Sequence, residues 1–531
     1  MKTLVSALAL GLALVAGSAS AQAARDPAAE ARIHADVAFL ADDALEGRGT
    51  GLRGYDLAAQ YVQTRMQGMG LQPGANGSWR QPVTVARMGI AAEGATLTWT
   101  PAGGAPVVWT NGLDGLFGSG REAGHAVTSG QLVFVGFGGE EDYAGLDATG
   151  KIVVLLSGAP AGLSEDAARV FEASKAKIAE SHGAVGAITV NTTASAARYT
   201  DAMMRRFANR TETVWVGPDG PKRSAPGIRV TAFLNDAAAA SLFAGAPKSY
   251  ADIRAEAAAG RPAGFALDGA ASFDVHTRRE DLHTSNVIGL IEGTDPALKD
   301  EYVILTAHLD HLGVSASGDD RINNGALDNA GGVASMLEAA RSLAAAPPRR
   351  SVLVVALTAE EFGLIGSDYL ARYPVVQNVV ADVNLDMPIL TYEFTDVVAF
   401  GAEHSTLGPL VAAAARTEGV SLSPDPMPEQ NVFTRSDHYS FVQAGVPSVM
   451  LATGYANGGE AAWGAFFEHG YHKPNDDLSG PMNWTAAARF SRVNAAIARA
   501  VADADQRPLW YAGNPYGDRY APNAEKAPAP Q

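Results

Sequence analysis

The chain has 531 residues, of which 47% are hydrophobic and 18% charged, and it contains no cysteine. This length exceeds a usual domain several-fold, so we expect at least two domains. The formal net charge of −17 argues against nucleic acid or an anionic membrane as a partner. The lack of cysteine excludes disulfides and thiolate chemistry, so any zinc must be held by His, Asp and Glu.

Residues 1–23 have the pattern of a secretory signal peptide. Lys2 precedes a short apolar stretch, and small residues around Ala21 fit the cleavage pattern. The apolar stretch is too short to span a bilayer. We therefore predict a protein that is secreted or exported to a bacterial periplasm, without a membrane anchor.

Residues 24–88 are predicted to be the N-terminal part of the main domain. The segment 28–70 has helical character and is interrupted by the Gly-rich stretch 45–51. We interpret that stretch as a turn between two helices. Gly70 is a plausible residue to end the second helix.

Residues 89–275 differ in composition and are predicted to form an inserted β-rich module. Short β-like pieces alternate there with Gly and Pro turns, and one helical piece covers 164–182. The segment contains no repeated pattern of carboxylate and histidine, so we interpret it as a module without chemistry. Its scattered histidines, and those just after it, are interpreted as core or surface residues rather than ligands: His125, His182, His276 and His283.

Residues 276–506 are predicted to be the main part of the domain that begins at residue 24, and three apolar runs dominate this part. They cover 302–305, 351–359 and 379–385, and helical segments separate them. Such runs predict an α/β fold in which a mixed, mostly parallel sheet is covered by helices on both faces. Functional groups gather beyond the carboxyl ends of such strands. The predicted site therefore contains His308, Glu360, Glu361 and Asp386 at the strand ends and Asp328 from a loop.

The spacing and charge of these residues indicate metal ions. His308 and Asp310 are two residues apart, so their side chains share one face of an extended chain, and the carboxylate can accept the second ring N–H of the histidine. Four carboxylates in one pocket repel one another, each close pair by roughly 4 kcal/mol at an effective dielectric of 20. Because one divalent ion takes about four ligands, this set predicts two ions. The pattern alone does not choose between Glu360 and Glu361 as the ligand.

The C-terminal region supplies further candidates and a closing helix. His438, His469 and His472 lie in polar stretches, and the residues alone do not select one as a ligand. An Ala-rich helix follows at 486–502. The tail at 507–531 holds several Pro and aromatic residues, and we predict it to be partly disordered or draped over the surface.

A series of motifs between 286 and 477 resembles the M28 zinc peptidases, a family of aminopeptidases and carboxypeptidases. The motifs, in the order of that family, are AHLDHLG, GALDNAGG, TAEEFGLIGS, NLDMP, SDHYSF with GVPS, and YHKPNDD. The middle segment is similar to a protease-associated (PA) domain. The resemblance implies a three-layer αβα zinc-peptidase domain with an inserted PA-like domain.

The resemblance also implies a centre of two Zn²⁺ ions and a role for each residue. Asp328 would bridge both ions, His308 and Asp386 would complete one site, Glu361 and His472 would complete the other, Glu360 would be the general base, Asp310 would orient His308, and Tyr471 would donate to the oxyanion. His311 is interpreted as structural, and His438 as a residue near the site that is not a ligand.

The expected activity is that of an aminopeptidase acting on peptides with a free N-terminus. A carboxypeptidase or dipeptidase of the same family is the alternative, for which Arg435 is the obvious basic residue within the late motifs. A catalytically silent binding or receptor protein is a further alternative, and the presence of every ligand type argues against it. The sequence does not predict an oligomeric state.

Overall fold

The computed structural model describes residues 25–120, 122–222 and 224–530, and the predicted signal peptide at 1–23 lies outside the described residues. The first part contains α1 (Pro27–Leu40), α2 (Arg53–Gly68), β1 (Gln72–Pro73) and β2 (Arg80–Pro101). The middle part contains β3 (Val107–Thr110), β4 (Gly115–Phe117), β5 (Gly124–Phe134), β6 (Ile152–Leu156), α3 (Glu165–Ser181), β7 (Gly186–Val190), α4 (Asp201–Phe207), β8 (Glu212–Gly217), β9 (Gly220–Pro221), β10 (Val230–Leu234), α5 (Asp236–Leu242), α6 (Tyr250–Ala259) and β11 (Phe265–Ile291).

The last part contains the remaining helices and strands. They are β12 (Tyr302–His308), β13 (Gly313–Val314), β14 (Ile322–Asn323), α7 (Gly332–Ala345), β15 (Ser351–Leu357), α8 (Ile365–Arg372), β16 (Val379–Leu385), β17 (Asp396–Phe400), α9 (Leu407–Thr417), β18 (Ser421–Ser423), α10 (His438–Gln443), β19 (Ser448–Thr453), α11 (Gly459–His469), α12 (Trp484–Asp503), β20 (Trp510–Tyr511), α13 (Pro515–Tyr520) and β21 (Lys526–Ala527).

The sheet of the main domain is mixed and mostly parallel. Strand β12 pairs in parallel with β15 on one side and with β16 on the other, and β16 pairs in parallel with β19. The end of β11 pairs antiparallel with β15, and β17 pairs antiparallel with β19. The predicted α/β class and sheet type are confirmed.

Helices cover both faces of this sheet, which explains why its strands are almost continuously apolar. Val303 and Leu305 of β12 are buried in the large core that also contains residues of α7 and α12. Ile304 between them points into a second cluster, with Leu370 of α8 and Phe441 of α10. Alternate side chains of a strand point to opposite faces, so the three-layer arrangement follows directly from the burial of both sets.

Two long strands connect the main sheet to the middle part of the chain. Strands β2 and β11 pair antiparallel from Arg80 opposite Val287 to Pro101 opposite Gly269, with one irregularity between Val275 and Thr277. The predicted boundaries at 88/89 and 275/276 fall inside these strands rather than in loops. The extent of the inserted domain therefore stays a prediction.

The middle part has its own core, and its strands continue the sheet of the main domain through β2 and β11. Strands β5, β6, β7 and β10 run parallel to one another in that order. Its apolar side chains form a cluster that includes Phe134, Phe243 and Phe273. The β-rich character predicted from the turn-separated short pieces is present, together with the helices α3 to α6.

The tail is folded onto the main domain over residues 507–530. Trp510 is buried, and its Nε1 donates to the carbonyl of Gly445 at 2.8 Å. Tyr516 is also buried and donates to Asp166 of α3 at 2.9 Å. The described residues of the tail thus match the prediction of a segment draped over the surface. Its buried aromatic side chains hold it there, and composition alone does not show where these side chains pack.

Length and apolar content decide whether a helix can cross a bilayer. Within the described ranges, no helix combines the two to the extent that a membrane span requires.

Candidate metal centre

The predicted acids and the first histidine meet at one rim of the main sheet. His308 is the last residue of β12, Asp386 follows β16 directly, and Glu360 and Glu361 come shortly after β15. Since these three strands are parallel neighbours, their carboxyl ends lie side by side. Asp328 reaches the same rim from the helical turn Ala326–Gly331, which precedes α7.

Asp328 lies between two pairs, each made of one histidine and one acid. His308 Nε2 is 3.0 Å from Asp386 Oδ1 and 3.2 Å from Asp328 Oδ1. His472 Nε2 is 3.1 Å from Glu361 Oε2 and 3.4 Å from Asp328 Oδ2. The structure therefore brings together all five predicted ligands, and each oxygen of Asp328 faces a different pair.

This donor set fits divalent metal ions. Donor atoms bound tetrahedrally to one zinc ion at about 2.1 Å lie about 3.4 Å apart, which is close to the separations within each pair. With Asp328 counted in both, each group offers three protein ligands and leaves a position open. That ligand number is typical of catalytic rather than structural zinc sites.

Burial and charge set the protonation of the groups in this cluster. Burial by itself lowers the pKa of His308, but the nearby carboxylates of Asp386 and Glu360 raise it well above its usual value. For His472 burial also lowers the pKa, and hydrogen bonds to Asp328 and Glu361 raise it to about 10. The acids thus favour positive charge at both histidines, which is the electrostatic preference that a cation would satisfy.

Glu360 differs from the other acids because none of the close pairs above includes it. Burial raises its pKa well above the usual value, and although His308 opposes this, the carboxylates of Asp386 and Glu361 raise it further. Its backbone N–H donates to Asp310 Oδ1 at 3.1 Å. Its side chain lines the cavity beside the cluster.

The structure separates the three late histidines that the sequence left open. His469 is exposed and its nearest acid is the adjacent Glu468, at 3.6 Å. His438 is buried with both ring nitrogens unpartnered among the described residues, and burial lowers its pKa to about 3. His472 alone of the three contacts the acids of the cluster, in the part of the chain that the structure describes.

His311 lies closer to the cluster than its interpretation as a structural residue suggests. Its Nδ1 is 2.6 Å from Glu361 Oε1 and 4.0 Å from Asp328 Oδ2. Glu361 thus contacts His311 with one oxygen and His472 with the other. His311 therefore orients Glu361, and with Asp328 and Glu361 it forms another group that could hold an ion.

The predicted contact between the Asp310 carboxylate and His308 is wrong in one respect. The Nδ1 of His308 is 3.1 Å from the backbone carbonyl of Asp310, not from its side chain. The carboxylate instead accepts from Thr50 Oγ1 at 3.0 Å and from the Glu360 N–H. Asp310 still fixes the ring of His308 through the main chain, but its side chain positions Glu360.

Sequence reasoning missed several residues that hold the ligands. Asp476 accepts from the backbone N–H of Leu327 at 2.8 Å and of Asp328 at 2.9 Å. Ser436 donates to Asp386 Oδ2 at 2.6 Å. Ser436 lies in the motif SDHYSF and Asp476 in the motif YHKPNDD. A search of these motifs for polar partners of the ligands could therefore have found both residues.

Arg48 is a further missed residue, in the stretch interpreted as a plain turn. Its guanidinium is buried and donates to the carbonyls of Leu309 at 2.8 Å, Asn324 at 2.6 Å and Gly325 at 3.0 Å. It also donates to the carbonyl of Leu40. Arg48 therefore ties the segment after β12 to the segment that leads to Asp328.

A cavity of about 730 Å³ opens over the cluster. Tyr471 lines it and stacks on His472, with ring centroids 3.9 Å apart. Burial raises the pKa of Tyr471, so its hydroxyl stays protonated and able to donate. Arg435 lines the cavity as well, together with Arg87 and Arg210. Arg210 belongs to the middle part of the chain, so that part, which we interpreted as a module without chemistry, forms one wall of the cleft.

Residues 286–498 match the model of a family described as peptidase family M28. Aminopeptidase NAALADL1 of Mus musculus is 34% identical over 129 residues, which cover 22% of this chain and 15% of that protein. Aminopeptidase YwaD of Bacillus subtilis (strain 168) is 28% identical over 222 residues, which cover 41% of this chain and 45% of that protein. The matched regions thus span less than half the length of either relative.

Among solved structures, an aminopeptidase from Aneurinibacillus sp. strain AM-1 is similar with a TM-score of 0.47. Its sequence identity is 20%, and the alignment covers 89% of this chain and 93% of that one.

Proposed function

We propose that the protein is an exported zinc aminopeptidase, and the match of residues 286–498 to the model of peptidase family M28 supports this proposal. It would cleave the first peptide bond of peptides that have a free N-terminus. The observation that carries the proposal is the position of Asp328, whose two oxygens face two separate pairs of histidine and acid.

We propose that these five residues hold two Zn²⁺ ions. His308 and Asp386 would hold one, His472 and Glu361 the other, and Asp328 both. Imidazole and carboxylate donors without cysteine suit zinc in a site with an open position. When bound, such ions supply Lewis-acid activation of water and of the scissile carbonyl.

Glu360 is the proposed general base. Its side chain lines the cleft, and Asp310 holds its backbone. Burial and the neighbouring carboxylates raise the pKa of Glu360 above its usual value, which makes it a stronger proton acceptor than an ordinary glutamate. Glu360 takes a proton from the attacking water and delivers it to the leaving amine.

Tyr471 is the proposed donor to the carbonyl oxygen of the scissile bond. Its hydroxyl is protonated and its ring is fixed by stacking on His472. A donor that is already positioned stabilises developing negative charge without reorganisation.

A carboxypeptidase or dipeptidase activity is the second candidate, and one observation favours it. Arg87, Arg210 and Arg435 line the same cavity as the proposed centre, and guanidinium groups bind carboxylates well. A panel of free and N-acetylated dipeptides, with and without a chelator, separates the two candidates. Rapid cleavage of N-acetylated dipeptides would contradict an aminopeptidase.

The substitution Glu360→Gln tests the mechanism. We expect both ions to remain bound and kcat to fall by about 10²–10⁴-fold, because the amide cannot accept the proton. Glu429→Gln is the matched control, since Glu429 is an exposed acid on a loop next to the cleft residue Gln430. Unchanged kcat in Glu360→Gln would remove Glu360 from the mechanism, and loss of metal would make it a ligand instead.

A further inference from the structure

Two histidines and one acid converge on the exposed surface of the middle part, away from the cleft. In the antiparallel pairing of β5 with β11, His125 lies directly opposite His276. Asp274 precedes His276 by two residues on β11, so its side chain points to the same face. About 150 residues separate the two histidines along the chain, so the sequence pattern does not relate them to one another.

We propose that His125, Asp274 and His276 form a surface site for a divalent transition metal ion such as Zn²⁺. Asp274 Oδ1 is 3.0 Å from His125 Nε2 and 3.6 Å from His276 Nε2. These separations bracket the distance of about 3.4 Å between donors that share a tetrahedral ion. The three ligand atoms lie within 4.8 Å of one another.

The convergence of two imidazoles on one oxygen distinguishes this group from an ordinary surface ion pair. The rings are stacked with centroids 4.4 Å apart and planes 15° apart, and both present Nε2 to the same carboxylate oxygen. Two charged imidazoles in that arrangement repel each other, whereas two neutral ones suit a metal ion. The side chains are 51%, 47% and 34% exposed for His125, Asp274 and His276, so water can complete the coordination.

The backbone supplies an independent reason for the geometry. The pairing of β11 with β2 passes from Val275 opposite Ala95 to Thr277 opposite Ile90, so His276 and residues 91–94 of β2 have no partner in this pairing. Irregularities of this kind bend the strands and change where a side chain points. Here the irregularity coincides with the residue that faces His125 across the other edge of β11.

A bound ion would fasten the start of β5 to β11. The first residues of β5 are exposed and contribute little to the core. An ion that binds only the folded state stabilises that state in proportion to the logarithm of its free concentration. The site thus acts on the stability of the middle part and is independent of the proposed peptide hydrolysis.

Zinc binding by the full chain tests the proposal. Equilibrium dialysis against ZnCl₂, followed by elemental analysis, counts the bound equivalents and their affinities in the wild type and in His125→Ala, His276→Ala and Asp274→Asn. We expect each histidine variant to lose one equivalent, or to bind it at least about tenfold more weakly. His283→Ala is the control, because His283 is exposed on the same strand and contacts Thr84 instead.

Two further measurements make the result specific. Without metal, the variants should unfold at the same temperature as the wild type. Zinc bound at this site should raise the unfolding temperature of the wild type and of His283→Ala, but not that of the site variants. His308→Ala should lose zinc from the cleft and keep the surface equivalent, so failure of the proposed cleft centre would be seen separately. Unchanged stoichiometry and affinity in both His125→Ala and His276→Ala would overturn the surface site.

Discussion

Replacing Asp476 by asparagine removes one of the two acceptor oxygens that hold the loop of Asp328. The Asp476 carboxylate is buried and accepts from the N–H groups of Leu327 and Asp328 at 2.8 and 2.9 Å. The N–H of Ala326 donates to the backbone carbonyl of Asp476 at 2.9 Å. An asparagine has one acceptor oxygen, so one of the two N–H groups would face an NH₂ group and lose its partner.

The size of the effect follows from the strength of that hydrogen bond. A hydrogen bond to a charged acceptor contributes about 1.5–3 kcal/mol. Because each 1.4 kcal/mol corresponds to a tenfold change, a loss of this size displaces Asp328 at a cost of about ten- to hundredfold in zinc affinity. The affinities for both proposed ions should fall, since Asp328 faces both pairs.

Competition with a zinc chelator measures the affinity, and kcat at saturating zinc shows what remains of the activity. Asp477→Asn is the matched control, because the carboxylate of Asp477 accepts from Ser479 rather than from the ligand loop. The reasoning is refuted if folded Asp476→Asn binds zinc within twofold of the wild type.

Three further substitutions test how the main domain is held together. Arg48→Lys should lower the free energy of unfolding, measured in urea, by about 2–4 kcal/mol, because a lysine cannot replace the several hydrogen bonds of the buried guanidinium. The control is Arg53→Lys, since Arg53 is exposed. Equal stability of the two variants would contradict the role assigned to Arg48. Trp510→Ala should cost about 3–5 kcal/mol in the same assay, since its ring is buried, and a cost below about 1 kcal/mol would mean that the tail is loosely attached. Burial raises the pKa of Glu338, but hydrogen bonds from Arg32 and a second arginine lower this pKa below its usual value. The ionised Glu338 therefore stabilises the fold above its unfolded-state pKa, and this stabilisation is lost as the pH falls through the folded-state pKa. Glu338→Gln should therefore be less stable than the wild type at neutral pH by about 1 kcal/mol, and the gap should close as the pH falls through that range; a difference independent of pH would exclude the ion pair as its cause.

The sequence was sufficient for the main sheet and for the residues at its rim. The apolar runs of β12, β15 and β16 and the polar residues that end them are each encoded in consecutive positions. Because parallel strands bring their carboxyl ends together, the local pattern alone places His308, Glu360, Glu361 and Asp386 in one site. The family resemblance then implied a bridging role for Asp328 and the choice of His472 as a ligand.

Contacts between distant segments required the tertiary structure. Three contacts depend on the direction and register of segments that the local pattern does not relate to one another. They are the contact of His472 with Glu361, the hydrogen bond from the Glu360 N–H to Asp310, and the hydrogen bonds that Asp476 accepts from the loop of Asp328. The same holds for His125 and His276, which meet only because β5 and β11 pair in one register. Local pattern determines which residues form a strand and where it ends, whereas packing of the whole chain decides which atoms of those residues meet.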